Sequence, residues 1–267
     1  MPTMENKKYV AIGPGQLIEV PGEINAVIEL GEYLLTSNKT TNTLVLYNMS
    51  LKEITRHVFE RAETGRSRTV KDIAKISSSS FAVLVSDWCD MWIFDSCQLW
   101  ILELDDDLRR FRLVKQIAVA MSSSSICYQR DFIFTAVTPF IGESYIQQIP
   151  IDWVKHREKR DYKHILFRKS IQILDVYPDF VMYVCDKKQK LLYIFGKDTF
   201  SDSLMISDKT THRYRVMDIA KSDGGATYMA TDSSDGVVLL SENREWTFNN
   251  FLPKSKLGGT PDCSYVY

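Results

Sequence analysis

The stretch RVMDIAKSDGGATYMATDSSDGVVLLSENREW, from Arg215 to Trp246, decides how the rest of the chain is read. Val216 to Ala220 is a short apolar run, and Asp223-Gly224-Gly225 supplies turn residues. Ala226 to Thr231 is a second run, and Asp232 to Asp235 a second turn. Gly236 to Leu240 is a third run, and Arg244 to Phe248 a weaker fourth. Short β-branched and aromatic runs, separated by Gly, Asp and Ser, are the pattern of consecutive antiparallel strands.

The same unit recurs. VKDIAK, Val70 to Lys75, echoes VMDIAK, Val216 to Lys221, and IQILDV, Ile171 to Val176, is a looser copy. Asp72, Asp175 and Asp218 mark the shared position. VKQIAV places Gln116 there, INAV places Asn25 there, and Asp262 follows in the C-terminal stretch. On these markers the unit is about 43 to 47 residues long, the size of four short strands with turns. The unit from Gln116 to Asp175 is longer, with an insertion. Second strands are EYLLTSN from Glu32, SFAVLVSD from Ser80, DFIFTAV from Asp131, DFVMYVCD from Asp179 and ATYMATD from Ala226. Third strands are TLVLYN from Thr43, LWILEL from Leu99, SYIQQI from Ser144, LLYIFG from Leu191 and GVVLLS from Gly236. Outer strands such as KEITRHVF from Lys52 and DYKHILFR from Asp161 are more polar. Ser77 to Ser80 and Ser122 to Ser125 read as turns between first and second strands. The one helix candidate is Asp152 to Arg160, with an Asp cap and few apolar positions. The expectation is an all-β chain, residues 1–267 forming a single β-propeller domain. KYVAI from Lys8, QLIEV from Gln16 and SYVY from Ser264 would build a sixth blade from both termini, closing the ring and hiding sheet edges. Five or seven blades are the alternatives.

Composition narrows the class of job. Of 267 residues, 33 are Lys or Arg and 34 Asp or Glu, so no net field draws the chain to nucleic acid or a membrane. The hydrophobic fraction of 45% is ordinary for a globular domain, and no stretch approaches the roughly 20 apolar residues of a membrane helix. The first residues lack the apolar run of a signal peptide. Cys89, Cys97, Cys127, Cys185 and Cys263 fit no disulfide or zinc spacing, which points to reduced thiols and to the cytoplasm or nucleus.

FVMYVCDKKQKLLYIFG and ATYMATDSSDGVVLLS resemble the NHL pattern of apolar strand, Tyr-Val-x-Asp, polar turn and apolar strand. More loosely the units resemble WD40 repeats, but Gly-His before the repeats and Trp-Asp at their ends are missing. The resemblance covers Ile171 to Phe248 best. It implies a propeller and, since some NHL proteins bind RNA on one propeller face, an RNA-binding alternative. It implies no catalytic residue, because folds of this kind host unrelated activities.

Two segments are candidates for binding. Asp87 to Cys97, DWCDMWIFDSC, stands where other units have a few polar residues. As an inserted hairpin it would carry Trp88, Met91, Trp92 and Phe94 at an apolar tip, residue types enriched in interface cores. In the competing reading Met91 to Phe94 is itself the third strand and LWILEL is pushed outward. The second segment, Trp153 to Lys169, carries Lys155, Arg157, Lys159, Arg160 and Lys163 beside Trp153 and Tyr162, a pattern that could bind phosphates and stack bases. The competing reading is a solvated outer loop. Arg61, Arg66, Arg68 and Lys71 could join that patch if the fold brings them to its face.

Signatures of chemistry are sparse. Glu103 to Asp107, ELDDD, lacks the Gly turn and ligand spacing of a calcium loop and reads as a charged turn. Gly13-Pro14-Gly15 is no phosphate loop, no G-x-S-x-G elbow occurs, and the four His form no zinc pair. A lactonase-type metal site would require Asn25, Asp72, Asp175 and Asp218 to converge. The competing reading has each bonding a neighbouring backbone. The sequence therefore predicts a non-catalytic protein-interaction platform, with no cofactor, no metal, no membrane and no small-molecule substrate. Its partners are one or more proteins, with RNA as the alternative.

Overall fold

A computed structural model gives the architecture. It describes residues 8–11, 17–20, 24–38, 40–60, 67–88, 96–105, 107–108, 110–152, 159–163, 171–176, 182–186, 191–195, 206–211, 216–221, 227–231, 237–240 and 246–252, with side chains placed within residues 24–173. Every regular element among them is a strand.

β1 (Lys8–Ala11) and β2 (Leu17–Val20) form an antiparallel pair. Five four-stranded antiparallel sheets follow, each in sequence order. The first is β3 (Ile24–Leu30), β4 (Tyr33–Asn38), β5 (Thr43–Asn48) and β6 (Glu53–Val58). The second is β7 (Ser67–Lys75), β8 (Ser80–Trp88), β9 (Ser96–Leu104) and β10 (Phe111–Val119). The third is β11 (Ser123–Gln129), β12 (Phe132–Val137), β13 (Tyr145–Pro150) and β14 (Arg160–Lys163). The fourth is β15 (Ile171–Val176), β16 (Met182–Asp186), β17 (Leu191–Phe195) and β18 (Ile206–Thr211). The fifth is β19 (Val216–Lys221), β20 (Thr227–Thr231), β21 (Val237–Leu240) and β22 (Trp246–Leu252). The first strands lie side by side in the order β3, β7, β11, β15, β19. Successive four-stranded meanders joined along their first strands are the blades of a propeller-type fold.

Packing explains why the middle strands are apolar throughout instead of alternating. Each blade is covered on both faces by its neighbours, so both sets of side chains on a strand are buried. In β8, Phe81, Val83 and Val85 join Leu30, Leu35, Leu44 and Leu46 of the first blade. The intervening Ala82 and Leu84 join Ile126, Ile133 and Ile149 of the third. Phe81 and Phe134 are among the largest fully buried side chains, each burial stabilising by about 2–3 kcal/mol. Outer strands are wetter: β6 and β10 expose several positions, Gln116 among them. β10 also carries a bulge between Leu113 and Lys115, which disrupts the edge as a template for further pairing.

All five first strands share a second device. Each shifts register once, between Ile24 and Ala26, Val70 and Asp72, Ser123 and Ser125, Ile173 and Asp175, and Val216 and Asp218. The recurring Asp is thus the residue just after a β-bulge. Three sequence expectations change with this. Asn25 is the bulged residue of β3, one place before the marker. Gln116 belongs to outer strand β10, so VKQIAV ends the second blade and does not begin the third. Ser123 to Ser125 open the first strand of the third blade instead of forming a turn, and Ser125 holds the marker place. The alternation of VKQIAV fits an outer strand as well as an inner one, so sequence pattern alone misplaced it. The helix expected over Asp152 to Arg160 ends in a strand residue, Arg160; its interior, 153–158, lies outside the described residues.

Turns connect first and second strands tightly. Arg130 and Asp131 form the two-residue link from β11 to β12 with φ of 44° and 67°, the left-handed pair of a type I′ hairpin turn. The SSSS run at Ser77 behaves as expected, its Oγ accepting the Ser79 and Ser80 N–H groups at 3.2 and 3.0 Å. Among the described residues no helix is long and apolar enough to cross a membrane.

Candidate functional site

Because strands alternate in direction, two kinds of connection share one rim of the blades: those from second to third strand, and those from an outer strand to the next first strand. This rim is called the upper one here. The connection from β8 to β9 belongs to it. The third strand of this blade is Ser96–Leu104 and contains LWILEL, which removes the reading of Met91 to Phe94 as that strand. Trp88 closes β8, its backbone opposite Ser67. Met91, Trp92 and Phe94 lie outside the described residues, between the ends of β8 and β9.

The base of this connection is raised and clamped. Four residues, Ser67 to Val70, precede the bulge of β7, against a single residue in β3, β11 and β19. The second blade therefore continues its pairing three residues further at the upper rim, about 10 Å at the usual strand rise. Arg68 and Asp87 sit directly opposite each other there, Nε to Oδ1 at 3.1 Å, with side chains 24% and 12% exposed. The Arg68 guanidinium also lies 5.0 Å from the Trp100 ring centroid. Trp100 Nε1 donates to Gln98 Oε1 at 3.1 Å, and its ring packs on Phe59 at 5.3 Å. An ion pair, a cation–π contact and a ring contact converge on two strands, holding the hairpin stem in one geometry. Arg68 is thereby committed to the stem and not to a phosphate. Lys71 lies 3.9 Å from Cys97 Sγ at the foot of the same stem. Arg61 and Arg66 fall outside the described residues.

The basic residues of the second candidate are divided by a strand. Lys159 precedes β14, whereas Arg160 and Lys163 are its first and last residues. Lys155 and Arg157 belong to the connection that leaves β13 at the opposite, lower rim, and lie outside the described residues. Lys159 Nζ donates to the Ala118 carbonyl of β10. Its neighbour Asp161 accepts from Gln147 Nε2 at 2.9 Å, and Gln147 Oε1 accepts from Ala120 N–H at 3.3 Å. These bonds stitch the outer part of the third blade to the second.

The marker residues serve the joints between blades. Asp72 Oδ2 accepts the N–H of Ile126 in β11 at 2.8 Å, while Oδ1 accepts that of Ile73 at 2.9 Å. Ser125 Oγ accepts the N–H of Ile173 in β15 at 2.9 Å. Asn25 Nδ2 donates to the Val70 carbonyl of β7 at 2.6 Å. The bulge breaks the ladder and lets a side chain reach the next first strand, so one device both ends and joins. No group of three His, Cys, Asp or Glu that could hold a metal occurs among the described residues. The ELDDD run is a paired turn: Asp105 Oδ2 receives Arg110 Nε at 2.6 Å, and Glu103 receives Arg112.

Three exposed apolar residues escaped the sequence reading. Met121, Phe140 and Ile141 are 53%, 79% and 85% exposed, all on upper-rim connections of the third blade or leading into it. The sequence signal was present in Pro139-Phe140-Ile141-Gly142, two large apolar residues between turn formers. Nearby, burial, with the Asp161 charge adding to it, raises the Tyr145 phenol above its ordinary value, so it remains a neutral hydroxyl.

No protein-family model matches the chain, and no curated protein sequence matches it. Among solved structures it is similar to a Bacteroides caccae protein of unknown function, at 12% identity and a TM-score of 0.54, over 80% of this chain and 71% of that one. It is also similar to Kluyveromyces lactis Hsv2, at 15% identity and a TM-score of 0.45, over 86% of each chain. At such identities the first likeness speaks for the fold and for nothing else.

Proposed function

We propose that the chain is a non-catalytic protein-interaction platform, an adaptor or a subunit of a larger assembly in the cytoplasm or nucleus. The reading rests on one observation: the second blade alone among those compared extends and clamps its upper end, beneath a connection that carries Trp88, Met91, Trp92 and Phe94. Rigid stems under apolar tips suit recognition, since ordering costs are met before a partner arrives. In the finer form the fold is an NHL-like propeller of six blades. The β1–β2 pair supplies two strands of the last blade, and Ser264 to Tyr267, outside the described residues, supplies a third.

The test is affinity capture from native extract with wild type, Trp92→Asp and Phe94→Asp, with folding checked by circular dichroism and half of each sample treated with nuclease. A partner set that survives nuclease and is lost from the folded variants supports the platform. Folded variants that retain every partner overturn it. A set that collapses with nuclease moves the RNA reading to first place, with Lys155, Arg157, Lys159, Arg160 and Lys163 as the first residues to replace.

A further inference from the structure

We propose that the docking surface continues from the second blade onto the third, and that it takes a peptide segment in which apolar residues alternate with Lys or Arg. The inference rests on the platform reading above and names the chemistry of its partner. The first observation is adjacency. Val119, the last residue of β10, is opposite Cys97 at the foot of the hairpin stem, so the connection carrying Met121 begins beside that stem. Ser122 then binds the next connection along, its carbonyl accepting the Thr138 N–H at 3.1 Å. Two residues past Thr138 come Phe140 and Ile141. Three upper-rim connections are thus tied in a row.

The second observation is exposure. Phe140 and Ile141 are the most exposed of the large apolar side chains among the described residues. Buried Ile133, Phe134, Ala136 and Val137 anchor the strand that leads into their loop, so the loop is held out by a fully packed support. Adjacent apolar groups left in water by a rigid support mark a contact surface.

The third observation is charge, and it selects the occupant. Residues 88–97, 119–123 and 137–145 contain Asp90, Asp95 and Glu143 and no Lys or Arg. The upper-rim connections of the following blades have the opposite character, with Arg168, Lys169, Lys187, Lys188, Arg213 and Arg215 in residues 164–170, 187–190 and 212–215. A cationic apolar segment is drawn to the second and third blades and repelled from the others, while an acidic one is directed away. Complementary charge at the rim around an apolar centre gives a segment both its place and its direction.

The experiment uses the full chain and a fluorescein-labelled peptide alternating Leu and Arg, read by anisotropy. Parallel peptides replace Arg by Glu or Leu by Ser. Binding of the Leu/Arg peptide is expected, with both others at least about tenfold weaker. Phe140→Asp is expected to weaken it by about 30-fold or more, the scale of an interface anchor. Glu143→Lys should weaken it and flatten its salt dependence. Equal binding of the Leu/Glu peptide, no binding of the Leu/Arg peptide, or unchanged affinity in folded Phe140→Asp and Ile141→Asp overturns the proposal. If Trp92→Asp weakens binding while Phe140→Asp does not, the extension fails and the platform reading stands. If neither variant weakens it, neither surface takes this segment.

Discussion

Asp72→Ala should loosen the joint between the second and third blades. The substitution removes a carboxylate that accepts two backbone N–H groups, one in its own strand and one at Ile126 across the joint. A hydrogen bond to a charged group contributes about 1.5–3 kcal/mol, and a buried N–H left unpaired costs about 1–3 kcal/mol. Both bonds are only part-buried, which places the combined loss toward the lower end, about 2–3 kcal/mol in total. Asp72→Asn keeps one acceptor oxygen and should lose about 1 kcal/mol. Urea unfolding followed by tryptophan fluorescence reads the global loss. The sharper readout is hydrogen exchange at the Ile126 amide, which should accelerate beyond what the global change explains. Ser125→Ala makes the parallel change one joint further on, losing the neutral bond to Ile173 at a cost of about 1 kcal/mol. If Asp72→Ala costs less than about 0.5 kcal/mol and leaves Ile126 protected, the blades are held by apolar packing alone and the latch argument is wrong.

Two further perturbations probe the same frame. Thr135 is fully buried in β12 and its Oγ1 has no hydrogen-bond partner among the described residues; Thr135→Val should therefore raise stability by about 1 kcal/mol in the same urea assay, and a loss would reveal a polar contact at that hydroxyl. His57 packs edge-on against Phe59 at 4.8 Å and near Phe111 at 6.3 Å, and burial holds its imidazole below the ordinary value, with Glu60 opposing. The unfolded chain then takes up a proton at higher pH than the folded one, so stability falls as pH drops through about 6.5 and the fall ends below the folded pKa. Melting temperatures between pH 7.5 and 5.5 should show that slope, and His57→Phe should reduce it; an unchanged slope removes His57 as its source. Glu53, held low chiefly by its hydrogen bond to Arg56, adds a loss only at lower pH.

Much of the architecture was legible because a blade is a local object. Its four strands are consecutive, so apolar runs such as SFAVLVSD and turns such as Ser77 to Ser79 can be read from neighbours in sequence. The two middle strands of each blade were placed within a residue or two for this reason. The error came at the blade boundary. VKQIAV has the composition of a first strand, yet it is the outer strand of the second blade, and the serines after it open the third. Nothing local distinguishes the two, because what makes a strand inner is the backbone it meets in the next blade.

The candidate site divides in the same way. The unusual residues of Asp87 to Cys97 were visible as composition, but the stem that supports them depends on Arg68 meeting Asp87 from 19 residues away and stacking on Trp100. The cations from Lys155 to Lys163 look like one cluster along the chain, but the fold places a strand among them. By itself the sequence determined an all-β chain of repeated four-stranded units, since strand periodicity and turn chemistry act over a few residues. Only the tertiary structure decided where each unit starts, why Asp72 recurs, and which connections share a rim. Those depend on backbone groups roughly 45 to 54 residues apart becoming hydrogen-bonded neighbours, which no local pattern encodes.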